Sequence, residues 1–318
     1  MPMPIEMVDP ELRDALAQFP DIDFTQIPLD LVRSQPMMPP LEAPFPQPVE
    51  RTIPGIDGNP DVKVFIVDPT PGATNRPAVL HIHGGGYVFG SAEGMIAGVQ
   101  AAAMAAGIVF VSVEYRLAPE TTFAGSVADN YAALVWLAGE GGKELGVDPA
   151  RIAVAGESAG GGHSAMLAIT ARDRGGPAIA FQLLTYPMID DRTGSSRAVA
   201  AHLGEFVWKA DHNKFGWSAL LGAEPGGDSL PQGAVVPARV EDLTGLPPAW
   251  IGCGGLDLFI EENLAYASRL IAAGVPTEVH VVPGAYHGFD GFAAASGAGQ
   301  RFSAARTAAL KRGLGVAD

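Results

Sequence analysis

From about residue 50 onward, short uninterrupted apolar runs alternate along the chain with longer amphipathic stretches. This is the rhythm of βαβ units: strands buried on both faces read as continuous apolar runs, and each crossover to the next parallel strand requires a helix. The pattern predicts strands over Val62–Val67, Ala78–Ile82, Ile108–Val113, Ile152–Ala155, Phe181–Leu184, Ala249–Cys253 and Glu278–Val282. It predicts helices over Ala124–Leu137, Ala159–Ala171, Glu261–Ala272 and Ser303–Arg312, where crossovers are needed. The fold class that follows is α/β, a mostly parallel sheet with helices on both faces.

Three stretches depart from the rhythm. At the start, Asp9-Pro10-Glu11 sets a capping side chain, a first-turn proline and an early acid ahead of Leu12, Ala15 and Leu16, which predicts an N-terminal helix. Prolines at 36, 39, 40, 44, 46 and 48 then hold the chain extended, as a linker or a strap. Between Asp190 and Leu246 an aromatic segment with Phe206, Trp208, Phe215 and Trp217 gives way to a Gly/Pro-rich tract. Such an excursion late in an α/β sheet can lie over the strand ends and line a pocket with its aromatics, or pack as a peripheral helix pair. The third stretch, Gly94 to Val113, is uncharged and about as long as a membrane span. It splits at Gly107 into an Ala-rich half and a β-branched half without flanking Lys or Arg, so it reads as a buried helix followed by a buried strand.

Composition narrows the functional classes. The 318 residues are 47% hydrophobic, enough for one large core, and the formal net charge of −15 argues against nucleic acid or an anionic membrane surface as partner. No basic region followed by an apolar one marks residues 1–10 as a leader, so a cytoplasmic location is expected. The single cysteine, Cys253, cannot form an internal disulfide and reads as a small core residue.

The chemistry is concentrated at the ends of predicted strands. Gly156-Glu157-Ser158-Ala159-Gly160 runs from a strand into a helix, the context in which G-x-S-x-G sets a serine on a tight turn at a helix N-terminus. His83-Gly84-Gly85-Gly86 follows the strand Ala78–Ile82, where backbone N–H groups can approach an oxygen that becomes negative in a tetrahedral intermediate. No Lys-Ser/Thr follows to make a phosphate loop, and His81 and His83 lack a third ligand for a metal. A serine nucleophile needs a base and a carboxylate to orient it. Asp257 follows the strand Ala249–Cys253 and His287 follows Glu278–Val282, in the order Ser, Asp, His that α/β hydrolases use. His163, His202, His212 and His280 fall in a helix, the aromatic excursion or a strand, which leaves His287 as the base.

With these motifs in place the chain resembles the hormone-sensitive lipase family of esterases over nearly its whole length. The resemblance rests on the glycines after His83, on Tyr115-Arg116-Leu117-Ala118-Pro119-Glu120, on the Gly156–Gly161 elbow and on Pro283-Gly284-Ala285-Tyr286-His287-Gly288-Phe289. It implies an α/β-hydrolase fold with an eight-stranded sheet and a helical cap, and no cofactor. It divides the chain into an N-terminal cap region and linker (1–48), two core parts (49–189 and 226–318) and a cap insertion (190–225). It also implies that Gly85, Gly86 and Ala159 supply the oxyanion N–H groups. Two departures stand out: Glu157 where the family more often has Asp or Thr, and Leu258-Phe259-Ile260 after Asp257 in place of Pro-Leu-Arg. His83 and Glu157 are placed beside the site, Glu157 either bracing the elbow from a neighbouring loop or standing as a solvated acid.

The expected function is a serine carboxylesterase for short- to medium-chain esters working through an acyl-enzyme, with Ser158, His287 and Asp257 as triad and Phe206, Trp208, Phe215 and Trp217 lining the pocket. The partner is a small-molecule ester, with no nucleic acid, no membrane span and no metal; a homodimer is an open option. An amidase or deacetylase with the same machinery is the alternative among enzymes. A non-catalytic receptor, as in relatives that lost the histidine, is the alternative outside them, and His287 is present here.

Overall fold

A computed structural model describes residues 5–19, 23–34 and 40–317. Pro36 and Pro39 of the proline stretch, and the first four residues of the segment read for a leader, lie outside the described residues. An eight-stranded sheet carries the architecture, in the order β1-β2-β4-β3-β5-β6-β7-β8. Its strands are β1 (Val49–Ile53), β2 (Val62–Val67), β3 (Arg76–Ile82), β4 (Val109–Glu114), β5 (Val147–Glu157), β6 (Phe181–Thr185), β7 (Ala249–Gly254) and β8 (Thr277–Val282). β2 runs antiparallel to β1 and β4, and every other pairing is parallel.

The helices are α1 (Arg13–Gln18), α2 (Leu29–Arg33), α3 (Ile96–Ala106), α4 (Phe123–Ala138), α5 (Glu140–Leu145), α6 (Ala159–Asp173), α7 (Ala210–Leu221), α8 (Ile260–Ala272), α9 (Phe289–Phe292) and α10 (Gly297–Gly313). Alternate residues of the central strands feed opposite cores. Phe65, Val79, Phe110 and Ala153 pack with Ile96 and Val99 of α3 and Phe302 and Leu310 of α10. Val64, Leu80, Val111 and Val154 pack with Leu134 and Leu137 of α4 and Leu167 of α6. Both sides of each strand therefore leave water, which is why these strands read as unbroken apolar runs.

The seven predicted strands are present, and the first strand of the sheet was not predicted. β1 lies at the sheet edge with Val49, Glu50 and Thr52 exposed and only Ile53 buried, so its sequence carries no apolar run. The N-terminal element opens as a single 3₁₀ turn at Pro10–Leu12, with the Asp9 carboxylate accepting from the Glu11 N–H at 2.9 Å, before α1 begins. Gly107 ends α3 in the left-handed conformation, φ 69°, at the predicted split between helix and strand.

α10 starts six residues earlier than the predicted Ser303, because Ser296 caps it. The Ser296 hydroxyl oxygen accepts from the Gly299 N–H at 3.0 Å. Gly297-Ala298-Gly299 otherwise reads as a loop, so the cap decides where the helix starts. Replacing Ser296 by Ala is expected to cost about 1 kcal/mol. A lower urea midpoint with unchanged slope would verify it, and an unchanged midpoint would refute it.

The excursion after Asp190 is tied to the core by a buried ionic cluster. Glu262 of α8 is fully buried, accepts from the N–H groups of Ile189 (2.8 Å) and Asp190 (3.2 Å), and is bonded by the Thr193 hydroxyl. Asp190 binds Arg192 at 2.8 Å and Arg197 at 3.0 Å, and Asp191 binds Arg239 at 2.7 Å. Burial pushes the Glu262 carboxyl well above the usual range, although the backbone N–H groups and Thr193 work the other way. Among the described residues, no helix is long and apolar enough to cross a membrane.

Candidate active site

The site is assembled from the C-terminal ends of β3, β5, β6, β7 and β8, where the chain leaves the sheet in short loops. Parallel strands bring their C-terminal ends to one edge of the sheet, so residues far apart in sequence converge there. Ser158 sits between β5 and α6 at φ 58° and ψ −121°, a conformation unfavourable for a residue with a Cβ. It is held by its own backbone: its N–H donates to the Thr185 carbonyl at 2.9 Å, and its carbonyl accepts from the N–H groups of Met188 (3.0 Å) and Gly162 (2.9 Å).

The Ser158 hydroxyl lies 2.9 Å from His287 Nε2, and His287 Nδ1 lies 2.8 Å from Asp257 Oδ2. Since Nδ1 must donate to the carboxylate, Nε2 is left to accept from the hydroxyl. Asp257 is fully buried, and its other oxygen accepts from the Phe259 N–H at 2.9 Å. That bond braces the carboxylate where the chain departs from the family's Pro-Leu-Arg. Phe259 stands edge-on to the His287 ring at 5.2 Å between centroids and Tyr186 at 4.7 Å, so the imidazole has aromatic neighbours on two sides.

The glycine loop lies beside Ser158. Gly85 (φ 121°) and Gly86 (φ 57°) both adopt positive φ, and their N–H groups donate to no backbone acceptor among the described residues. Ala159 is the first residue of α6, where the helix leaves its N–H unpaired. His83 supports the loop from behind, donating from Nδ1 to the Gly84 carbonyl at 2.8 Å and stacking on Tyr115 at 4.2 Å. The Tyr115 hydroxyl in turn donates to the His83 carbonyl at 3.0 Å. Burial pushes the His83 imidazole down to about 4, so it stays neutral in this role.

The four aromatics of the excursion take different places. Trp208 is buried beside His287, 6.4 Å between ring centroids, and its ring fills the space that a Cβ on Gly86 would need. Val207 just before it has φ 64°, costly for a β-branched residue, and the turn it makes is what delivers Trp208 to the site. Phe206 is half-buried against Tyr286, 6.4 Å away. Trp217 is fully buried against Tyr87 in the packing between α7 and the core, and Phe215 is half-buried on α7. The sequence reading missed two aromatics, Phe24 and Phe89, which lie 5.2 Å from each other and 6.4 and 6.1 Å from Trp208. Phe24 comes from the N-terminal region and Phe89 from the turn after the glycine loop, and neither position carries a motif.

Glu157 turns away from Ser158 and binds His81 Nε2 at 3.0 Å; His81 Nδ1 lies 2.8 Å from the Ser112 hydroxyl. Of the two histidines weighed as a metal pair, His81 is thus bonded through both ring nitrogens, and His83 is bonded through Nδ1 to the Gly84 carbonyl. Among the described residues no group of three His, Cys, Asp or Glu side chains is arranged to hold a metal. His163 is also committed, to Ser126 at 2.9 Å and to the Ala159 carbonyl at 3.2 Å.

Residues 79–291 match the α/β-hydrolase fold family. The chain belongs to that family. It is 37% identical to the carboxylesterase NlhH of Mycobacterium tuberculosis over 96% of both chains, and 38% identical to the esterase LipI of the same organism over 83% of this chain and 79% of that one. Among solved structures, a bacterial heroin esterase superposes with a TM-score of 0.84 at 36% identity, covering 98% of this chain and 99% of the other. The esterase LipW of Mycobacterium marinum superposes with a TM-score of 0.82 at 31% identity, covering 98% of each. Within the family this chain is a carboxylic-ester hydrolase of the hormone-sensitive lipase group, an enzyme with an eight-stranded mostly parallel sheet.

Proposed function

We propose that this enzyme hydrolyses short- to medium-chain carboxylic esters through an acyl-enzyme, with Ser158 as nucleophile, His287 as base and Asp257 as its orienting carboxylate. The observation that carries the reading is the unbroken line of hydrogen bonds Ser158–His287–Asp257, at 2.9 and 2.8 Å, beside a loop in which the Gly85 and Gly86 N–H groups donate to no backbone acceptor among the described residues. His287 Nε2 takes the hydroxyl proton as Oγ attacks the ester carbonyl, and the N–H groups of Gly85, Gly86 and Ala159 receive the negative charge that forms on the carbonyl oxygen. The imidazolium returns the proton to the alcohol as the C–O bond breaks, leaving an acyl group on Ser158. Water, deprotonated by the same nitrogen, then releases the acid and restores the hydroxyl.

Trp208, Phe24 and Phe89 are the residues we assign as the apolar wall of the substrate pocket, because they cluster beside His287 and the glycine loop. On this assignment the wall is expected to close around the acyl chain of an ester and to exclude a long tail. Rates on a series of p-nitrophenyl esters are expected to fall beyond about eight to ten carbons, from the volumes typical of enclosed pockets. Trp208→Ala is expected to shift the optimum to longer chains. A wild-type maximum at sixteen carbons, or an unchanged optimum in Trp208→Ala, would remove these aromatics from the pocket. The same assay separates an esterase from a receptor, which would bind the esters without turnover.

A further inference from the structure

Behind the nucleophile, a chain of polar side chains links the two loops that carry Ser158 and His287, and none of its members is used in the mechanism above. Arg306, on α10, lies 3.1 Å from Asp290 and 3.6 Å from Glu157. Glu157 is the residue immediately before the nucleophile, and Asp290 lies one helical turn after His287. The other oxygen of Asp290 accepts from the Tyr186 hydroxyl at 2.7 Å, and the Tyr186 ring is the one set edge-on against His287. The other oxygen of Glu157 binds His81. Tyr186 has φ 35°, an unfavourable conformation retained at the end of β6, where its N–H donates to the Gly252 carbonyl at 2.6 Å.

We infer that Arg306 is a positioning residue for catalysis: by bridging the carboxylate before the nucleophile to the carboxylate after the histidine, it holds Ser158 and His287 at bonding distance. The inference rests on the serine-esterase reading and adds to it a residue that touches neither substrate nor reacting atom. Ser158 is fixed to its own surroundings by backbone hydrogen bonds, while His287 comes from a separate loop after β8, and Arg306 ties the residue beside the first to a residue beside the second. Both contacts are made by one nitrogen, Nη1, which donates a hydrogen bond to Asp290 and forms an ion pair with Glu157, so a single permanent positive charge stands between the two carboxylates.

The arrangement is also electrostatically self-consistent. Two carboxylates drawn together away from bulk water repel each other unless a cation stands between them. Burial raises the Glu157 carboxyl, but His81 and Arg306 outweigh it and hold the group below the usual carboxylate value. Burial works against the Arg306 charge as well, and Asp290 and Glu157 more than restore it. Without Arg306 no cation stands between the two carboxylates, and their repulsion drives the two loops apart, carrying Ser158 and His287 with them.

Three variants test this: Arg306→Met, Arg306→Lys, and the triple exchange Glu157→Gln, Arg306→Met, Asp290→Asn, which removes the strut without leaving charges unpaired. For Arg306→Met, kcat on p-nitrophenyl butyrate is expected to fall about ten- to a hundredfold with KM within about twofold, the loss typical of slightly misplaced groups. The rate at which a fluorophosphonate modifies Ser158 should fall in parallel. Arg306→Lys should recover part of kcat, and the triple variant should regain thermal stability but not kcat. Wild-type kcat in folded Arg306→Met, or recovery of kcat together with melting temperature in the triple variant, would show Arg306 to be structural only. If Arg306→Met does not fold, Arg306→Lys decides: lower kcat at unchanged KM supports the strut and wild-type kcat overturns it. Wild-type enzyme that neither turns over the ester nor takes up the fluorophosphonate would instead overturn the esterase reading, and the inference with it.

Discussion

Ser158→Ala is expected to fold as the wild type does and to lose about 10⁶-fold in kcat on p-nitrophenyl esters, the size of loss seen when one member of such a triad is removed. The effect is this large because His287 then has no hydroxyl to deprotonate and no covalent intermediate can form. What remains is whatever binding and the oxyanion N–H groups contribute to direct attack by water, roughly 10³–10⁴-fold over the uncatalysed rate. Folding should be little affected, since Ser158 is fixed mainly through backbone hydrogen bonds to Thr185, Met188 and Gly162, which alanine keeps. Steady-state kinetics with a denaturation curve on the same sample tests both halves. A folded Ser158→Ala variant retaining more than about 1% of kcat is incompatible with a nucleophilic role.

Gly85→Ala is expected to cost at least about 10²-fold in kcat, the price of one misaligned oxyanion donor. At φ 121° Gly85 occupies backbone space that a residue with a Cβ avoids, and a Cβ placed there would lie 2.0 Å from the Phe89 carbonyl oxygen. That oxygen belongs to the backbone of the turn that closes the loop, in which the N–H groups of Val88 and Phe89 donate to the Gly85 carbonyl at 3.0 Å. It cannot rotate aside as a side chain could, so the loop must shift and its N–H groups lose their aim. Gly98→Ala on α3 is the matched control, since no atom lies within 4 Å of the added Cβ. It should leave kcat unchanged and stabilise the helix slightly. Equal activity in the two alanine variants would mean that the loop does not form the oxyanion site.

The parts of the fold legible in the sequence are those whose signal is local. Strands β2 to β7 announce themselves because burial on both faces of their central positions makes them read as apolar runs, whereas the edge strands are solvated: β8 has no buried residue and shows only the short apolar stretch around Val279–Val282, and β1 reads as Val49-Glu50-Arg51-Thr52-Ile53 and signals nothing. Ser158, Asp257 and His287 could be named because each stands just past a strand in a short motif. The aromatics of the excursion were legible as residues but not as faces: the sequence does not reveal that Trp208 stands beside His287 while Trp217 is sealed against Tyr87. Least legible are Tyr186, Asp290 and Arg306. Tyr186 does follow the strand Phe181–Leu184, and Asp290 is one turn beyond His287, so both were within reach of a reading of strand ends and helix spacing. Arg306 carries no such mark, because its partners come together only when α10 packs on the sheet.

The central claim, that Ser158 is the residue acylated during turnover, is tested most directly by treating the enzyme with an alkyl fluorophosphonate and locating the adduct by peptide mass mapping. The account predicts one adduct per chain, on the peptide carrying Ser158, appearing in step with the loss of ester hydrolysis and absent from Ser158→Ala. An adduct on another residue that accompanies inactivation, or full modification of Ser158 with hydrolysis retained, would contradict it.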